Sequence, residues 1–338
     1  MTATRPDHQT VHRAIALASR APSVHNTQPW RWLLGNHTLH LMADRTRHLP
    51  ATDPDGRDLL ISCGAMLHHL CVALAALGWG SKVHHIPNGG DPAHLAAVEP
   101  HLRPPAEQDI ALAAAIPRRR TDRRRFSSWP VPPGHLELMA QRARQAGALL
   151  VPVTTDLRCQ LTDAIAEATT RQESSPEYSS ELALWSGRGS LAADGVLAGS
   201  TPGRSSIHGD TRMRTFPGGI LAEPPGEDQE DDAGELLVLA TRTDDPKSRL
   251  RAGEAASAVL LTATDLMLAT CPLSQALEVA DTRAKIQEHV LGGAAVPQLI
   301  LRVGWAPVAA EPLPRTPRRP MEEITGLLPG TGSQHLGN

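Results

Sequence analysis

Four short stretches carry residue types able to hold a polar, anionic or planar ligand. Residues 20–30 run Arg-Ala-Pro-Ser-Val-His-Asn-Thr-Gln-Pro-Trp and set Pro22, Ser23, His25, Asn26 and Gln28 between the end of a predicted helix and the start of a strand. Such a loop presents backbone N–H groups and the Ser23, Asn26 and Gln28 side chains to a polar ligand. It equally suits a capping loop of Asx and Ser turns. Residues 119–124 gather Arg119, Arg120, Thr121, Asp122, Arg123 and Arg124. Guanidinium forks match a phosphate, and Thr121 adds a hydroxyl donor; a solvated basic linker has the same composition. Residues 270–275, Thr-Cys-Pro-Leu-Ser-Gln, predict a proline-bounded turn that sets Pro272, Leu273 and Ser274 against a planar ring. Residues 315–320 offer Arg318 and Arg319, or else a disordered basic tail.

Other chemistries find less support. The chain has 16 His, including the pairs His68-His69 and His84-His85, but adjacent histidines point in different directions and no HExxH occurs. No metal site is expected. G-x-S-x-G, Walker A and GxGxxG patterns are missing, which removes hydrolase, P-loop and dinucleotide-fingerprint readings. No catalytic acid or base is named. The formal net charge is −3, too small an imbalance for general nucleic-acid or membrane-surface binding. Aromatics make up 3%, which argues against stacking on single strands. Hydrophobic residues make up 41%, enough for a sizeable core. Four Cys without CxxC spacing read as reduced thiols. No secretion signal or membrane span of about 18 apolar residues is read, and a cytoplasmic setting is expected.

The elements that must position these stretches follow from periodicity. Residues 10–20 predict a short amphipathic helix, and residues 30–34 and 38–42 a hairpin around Gly35-Asn36. Leu60, Gly64, Leu67, Cys71 and Leu74 share one face of a long helix ending near Gly78. Residues 82–86 read as a strand and 91–116 as a connector between halves. The second half predicts helices over 134–145, 157–170, 250–269 and 282–290, and strands over 148–153, 235–240 and 298–304. Placing Gly64 on Gly253 brings Leu70 onto Val259, Cys71 onto Leu260, Val72 onto Leu261 and Leu77 onto Leu266. The two helices then carry the same apolar face in the same helix–turn–strand context, which suggests an internal repeat. Residues 185–233 are rich in Gly, Ser, Pro and charge without periodicity. A loop so long is a functional lid or disordered; Glu227, Asp228, Glu230, Asp231 and Asp232 read as a solvated acidic run.

Together the four stretches resemble the nitroreductase superfamily of FMN-dependent oxidoreductases. The Pro22-Ser23-x-x-Asn26-x-Gln28-Pro29-Trp30 string is similar to the early loop that reaches the flavin from the partner subunit. The arginine cluster before Phe126 resembles the motif that holds the FMN phosphate and ribityl chain. Cys271-Pro272-Leu273 is similar to the turn beside the flavin ring, and Arg318-Arg319-Pro320 to the C-terminal basic phosphate ligand. Asp122, beside Thr121, stands where an apolar residue is common in the arginine motif, and Ser274 stands where many members carry Glu. Early loop and arginine cluster lie in different halves. That split resembles the dormancy-associated nitroreductase-like proteins of mycobacteria, the Acg family, in which one chain mimics the dimer.

The resemblance implies an α+β, nitroreductase-like fold, tandem-duplicated as a pseudo-dimer in one chain. Its halves span 8–115 and 116–325, the second with a lid-like insertion at about 185–233. It implies FMN as cofactor, bound by Pro22, Ser23, His25, Asn26, Gln28, Arg119, Thr121, Arg123, Pro272, Leu273, Ser274, Arg318 and Arg319. The implied activity is NAD(P)H-dependent reduction of a small electron acceptor, such as a nitro compound or quinone, in a stress or dormancy setting. The alternative is a flavin-storage protein whose lid shields the ring. The expected state is a monomer with an internal pseudo-dimer, or a weak homodimer.

Overall fold

The structure, a computed structural model, describes residues 5–204, 206–223, 232–307 and 310–329. The fold is α+β. Helix α1 (His8–Ala18) buries Val11, Ala14, Ile15 and Ala18 as one stripe, and Asp7 caps it by accepting the Thr10 N–H at 2.7 Å. Strands β1 (Trp30–Leu34) and β2 (Leu39–Ala43) form the expected hairpin. Helix α2 (Arg57–Ala76), strands β3 (Trp79–His85) and β4 (His94–Leu102), and helix α3 (Glu107–Ala115) follow. These strands lie in the antiparallel order β1-β2-β4-β3.

The second half repeats that order. Helix α4 (Pro133–Gln145) leads into β5 (Leu149–Pro152). Helices α5 (Thr155–Glu173) and α6 (Pro176–Leu184) and the long segment then intervene, the latter holding a small hairpin of β6 (Ile207–His208) and β7 (Thr211–Arg212). Next come β8 (Glu235–Thr241), helix α7 (Pro246–Asp265), β9 (Ala269–Leu273), the short helices α8 (Gln275–Glu278) and α9 (Ala280–Lys285), and β10 (Val296–Gly304). The sheet reads β5-β8-β10-β9, again antiparallel throughout. The tail returns to the first sheet: α10 (Met321–Ile324) precedes β11 (Thr325–Leu327), which pairs parallel with β1.

Between the sheets α2 and α7, 20 residues each, cross at their glycines. A Cβ on Gly64 would stand 1.9 Å from the Leu250 carbonyl oxygen, and one on Gly253 2.0 Å from that of Ile61. Only glycine allows this approach. The contact is reciprocal, as across a two-fold axis. One turn on, His68 Nδ1 meets Ser257 Oγ at 2.7 Å, and these residues lie 189 apart in the chain, as do the glycines. The alignment of Gly64 with Gly253 is therefore also a juxtaposition in space. By length and composition α2 could cross a membrane, contrary to the sequence expectation, but it is mostly buried inside the fold.

Several local expectations need correction. Residues 91–116 are not a bare connector but hold β4 and α3. Helix α7 starts earlier than periodicity indicates, because Asp245 accepts the Ser248 N–H at 3.0 Å and Pro246 suits the first turn. Residues 269–273 are a strand rather than a turn, since β9 pairs with β10. The 282–290 helix is split into α9 and a π turn, Ile286–Val290. The long segment gains a small core of its own, where Val196 and Phe216 pack with Tyr178 and Leu182 of α6. Of the acidic run, Glu227, Asp228, Glu230 and Asp231 lie outside the described residues. Asp232 is not solvated: it is buried in an ion pair with Arg302 and accepts the Phe126 N–H at 3.0 Å.

Candidate functional site

The early loop is backbone held under strain. His25, Asn26 and Gln28 have φ of 45°, 55° and 51°, a region that non-glycine residues occupy rarely and at an energetic cost. Surrounding bonds over-determine it. Ser23 Oγ accepts the Gln28 N–H at 3.0 Å, and Ser62 Oγ on α2 accepts the Val24 N–H at 3.1 Å. Asn26 Nδ2 donates to the Gly195 carbonyl at 3.1 Å, and Gln28 Nε2 to that of Ala193 at 2.9 Å. The loop is thereby tied to the long segment. It is tied to the tail as well, because Gln28 Oε1 accepts the Arg319 N–H at 2.9 Å.

Two adjoining cavities open beside this loop and share Pro22, Ser23, His25, Thr121 and Arg123 in their walls. The larger spans about 1000 Å³, part of it open to solvent. Its floor is apolar, from Ile61 and Ala65 of α2 and Ala256 and Leu260 of α7. Cys271, Pro272, Leu273 and Ser274 form one wall, and Met213, Arg214 and Phe216 of the long segment another. The smaller encloses about 530 Å³ and is lined by Asn26, Arg119, Arg120 and Arg318 among others.

The smaller cavity is strongly cationic. Burial, then neighbouring cations, lower the pKa of Arg20, Arg119, Arg120 and Arg318, and Arg315 is one of the cations acting on Arg20 and Arg120. Among the described residues no carboxylate pairs with any of the five. Arg318 is clasped by backbone carbonyls of Ser19, Arg20, Ala21, Thr316 and Pro317, and burial, then its cationic neighbours, hold it well below the ordinary arginine value. Arg119 is buried with Nε and Nη1 lacking any hydrogen-bond partner among the described residues. Burial, then Arg120 and Arg20, pull its pKa down to about 10. A buried, unpaired guanidinium is expensive; a bound anion would offset that expense.

The mouth of the larger cavity is polar. Arg214 reaches His25 Nε2 at 3.0 Å and pairs with buried Glu278 on α8. Burial, then Arg214 and Arg123, drive His25 well below its ordinary pKa, so the ring is neutral at pH 7. Its edge meets Phe216 at a centroid distance of 5.7 Å, and Arg123 stacks on the same phenyl at 4.8 Å.

No family model matches the chain, but it has clear relatives. A Mycobacterium tuberculosis H37Rv protein named "Putative NAD(P)H nitroreductase Rv3131" is 48% identical over 320 residues, covering 94% of this chain and 92% of that one. A second from that strain, "Putative NAD(P)H nitroreductase acg", is 37% identical over 322 residues, covering 93% and 94%. The chain belongs to the Acg-like family of the nitroreductase superfamily. A solved structure from Anabaena variabilis, titled a putative nitroreductase, aligns over 90% of both chains at 11% identity and a TM-score of 0.47.

Most of the family's expected site residues converge in this member. Pro22, Ser23, His25, Asn26, Arg119, Thr121, Arg123, Pro272, Leu273, Ser274 and Arg318 line one or both cavities. Gln28 and Arg319 line neither. Gln28 locks the loop to the long segment and the tail, and Arg319 is taken up by Asp44 and Glu323. Arg123 departs from a phosphate role: it donates to the Ser200 carbonyl at 3.0 Å and stacks on Phe216. The side chains of Ser23, Asn26 and Ser274 spend hydrogen bonds inside the fold, Ser274 on Glu278 at 2.7 Å. Sequence reasoning missed Asp58, Arg214 and Glu278 beside the larger cavity and Arg20, Arg120 and Arg315 around the smaller. Of the two aromatics in the long segment, Phe216 lines the cavity, whereas Trp185 packs under Arg47 at 5.2 Å.

Proposed function

We propose that this protein binds one FMN per chain and uses it as an NAD(P)H-dependent, nitroreductase-like oxidoreductase acting on a small electron acceptor. The observation that carries the reading is the unpaired, buried Arg119 in an acid-free arginine cluster, opening onto an apolar cavity. A ligand that is planar and apolar at one end and dianionic at the other answers both needs. Arg119 and Arg120 would hold the phosphate, with Thr121 as a neutral donor, and Arg318, its donors spent on backbone carbonyls, would add charge from beside it. Pro272, Leu273 and the α2–α7 floor would hold the ring. When bound, the flavin supplies two-electron transfer from NAD(P)H to the acceptor. The repeated sheet order and the reciprocal glycine contact support a tandem duplication in which the 8–115 and 116–325 halves act as a pseudo-dimer.

A second reading, flavin held with little turnover, draws on the long segment. Met213, Arg214 and Phe216 wall the cavity where a nicotinamide would approach, and Arg214 is pinned to His25 and Glu278. Purified protein should be yellow and release close to one FMN per chain. Anaerobic bleaching by NAD(P)H, followed by reoxidation with a quinone or nitro compound, separates the readings: prompt bleaching supports the reductase, and a flavin that stays oxidised supports storage. Colourless protein that takes up no FMN overturns both.

A further inference from the structure

Asp58, on the first turn of α2, lines the larger cavity yet has no role in holding a flavin. Its side chain is buried, and Oδ2 has no hydrogen-bond partner among the described residues. The same residue also lines a small outer cleft with Asp53, exposed Asp55 and Arg283. It therefore touches both the cavity and the Asp53–Asp55 turn.

The charges around Asp58 come from three directions. Arg57 precedes it on α2, and Asp53 stands in the turn before that helix. Glu278 faces it from α8 and Arg214 from the long segment. Both cations are engaged elsewhere: Arg57 with Asp244, the Pro297 carbonyl and Gln298, and Arg214 with Glu278 and His25. Two carboxylates and a dry wall disfavour a negative charge at this point. Burial first, then Asp53 and Glu278, hold the Asp58 carboxyl well above the ordinary carboxylate range, and a buried Oδ2 without a hydrogen-bond partner among the described residues favours the protonated acid over the carboxylate.

Resting on the flavin reading above, we propose that Asp58 is the proton donor to the electron acceptor in the larger cavity. Reduction of a quinone or nitro oxygen requires two electrons and two protons. NAD(P)H supplies, through the cofactor, a hydride equivalent of two electrons and one proton, and leaves as NAD(P)⁺. Asp58 supplies the second proton to the acceptor oxygen, giving a hydroquinone, or a nitroso compound and water. The resulting carboxylate would recover its proton from the side of Asp53 and exposed Asp55, which share a narrow crevice with it. This assigns a general acid where the sequence suggested none, and a positioned acid of this kind is worth about 10²–10⁴-fold in rate.

The test uses Asp58→Asn and Asp58→Glu in the full chain. Difference infrared spectra of the flavin-free protein at pH 7 should show a protonated-carboxyl stretch that Asp58→Asn removes. In FMN-loaded protein, Asp58→Asn should slow reoxidation by a quinone about a hundredfold more than it slows bleaching by NADPH. The solvent deuterium effect on reoxidation should disappear, while Asp58→Glu should restore most of the rate. An unchanged infrared spectrum overturns the proposal, as does equal slowing of both half-reactions. A protein that takes up no flavin fails the functional reading instead, and the infrared result still decides whether Asp58 carries a proton.

Discussion

Replacing Arg119 with Met should act with opposite signs on the empty and the loaded protein. In the empty protein the guanidinium is buried without a partner and faces other cations. A fall in pKa from 12.5 to about 10 corresponds to about 3 kcal/mol, at about 1.4 kcal/mol per pKa unit. That penalty is fully present at neutral pH and eases only as the pH approaches 10. Methionine fills much of the same volume without charge, so Arg119→Met should stabilise flavin-free protein by about 1–3 kcal/mol in urea unfolding at pH 7. In the loaded protein the same change removes a charge-assisted bond to phosphate, worth about 1.5–3 kcal/mol. FMN affinity should fall about ten- to a hundredfold, read by fluorescence titration. Riboflavin, which lacks the phosphate, is the control, and its affinity should hardly change. Equal losses for FMN and riboflavin, or a less stable empty protein, would refute the assignment of Arg119 to the phosphate.

Three further outcomes follow from the same geometry. Gly64→Val should destabilise the fold by about 3 kcal/mol or more in urea, at or beyond the usual range for overpacking, because its Cβ would collide with the Leu250 backbone; a loss under about 1 kcal/mol would mean that the helix crossing yields easily. Deleting residues 195–222 should speed anaerobic bleaching by NADPH at matched FMN occupancy, and equal stopped-flow rates would show that the segment gates nothing. Burial raises Asp53 to about 6 and Asp58 further, so both favour the folded state most below about pH 4 and lose that contribution as pH rises through their folded values. Wild-type stability should therefore fall between pH 4 and neutrality more steeply than that of Asp58→Asn, and parallel curves would contradict a raised Asp58.

Local pattern reached far into the fold because burial here follows periodicity. The α1 stripe, the first hairpin and the Gly64–Gly253 register are all properties of short windows. The missed parts depend on partners distant in sequence. Residues 91–116 become strand and helix only because β2 and β3 flank β4. Arg318 and Arg319 are adjacent and chemically alike, so no pattern separates them; in the fold one turns into the arginine cluster and the other to Asp44. Asp58 sits in a run, Asp-Pro-Asp-Gly-Arg-Asp, that reads as a polar turn. Its burial comes from Glu278 and Arg214, which lie far along the chain.

If the chain is a tandem duplication, as proposed above, it invites two sites, and the side chains at the second position argue for one. Residues 189 apart exchange places across the α2–α7 pair, as His68 and Ser257 do. By that relation the counterparts of Ser62, Ala65 and Ser274 in the larger cavity are Arg251, Glu254 and His85. Those three line a separate cleft between α2, α3, α4 and α7. There His85 Nε2 and Glu254 Oε2 meet at 2.8 Å, so a hydrogen-bonded polar pair stands where the larger cavity has a small apolar side chain and a serine. A flat apolar ring would have to break that pair and leave a carboxylate dry, at a cost of several kcal/mol. The early loop and the arginine cluster are likewise each built once, in different halves. On the pseudo-dimer reading proposed above, one chain with two unlike halves can let one position become polar while the other keeps the loop of one half against the arginines of the other; a homodimer, whose two sites are identical, has no such freedom.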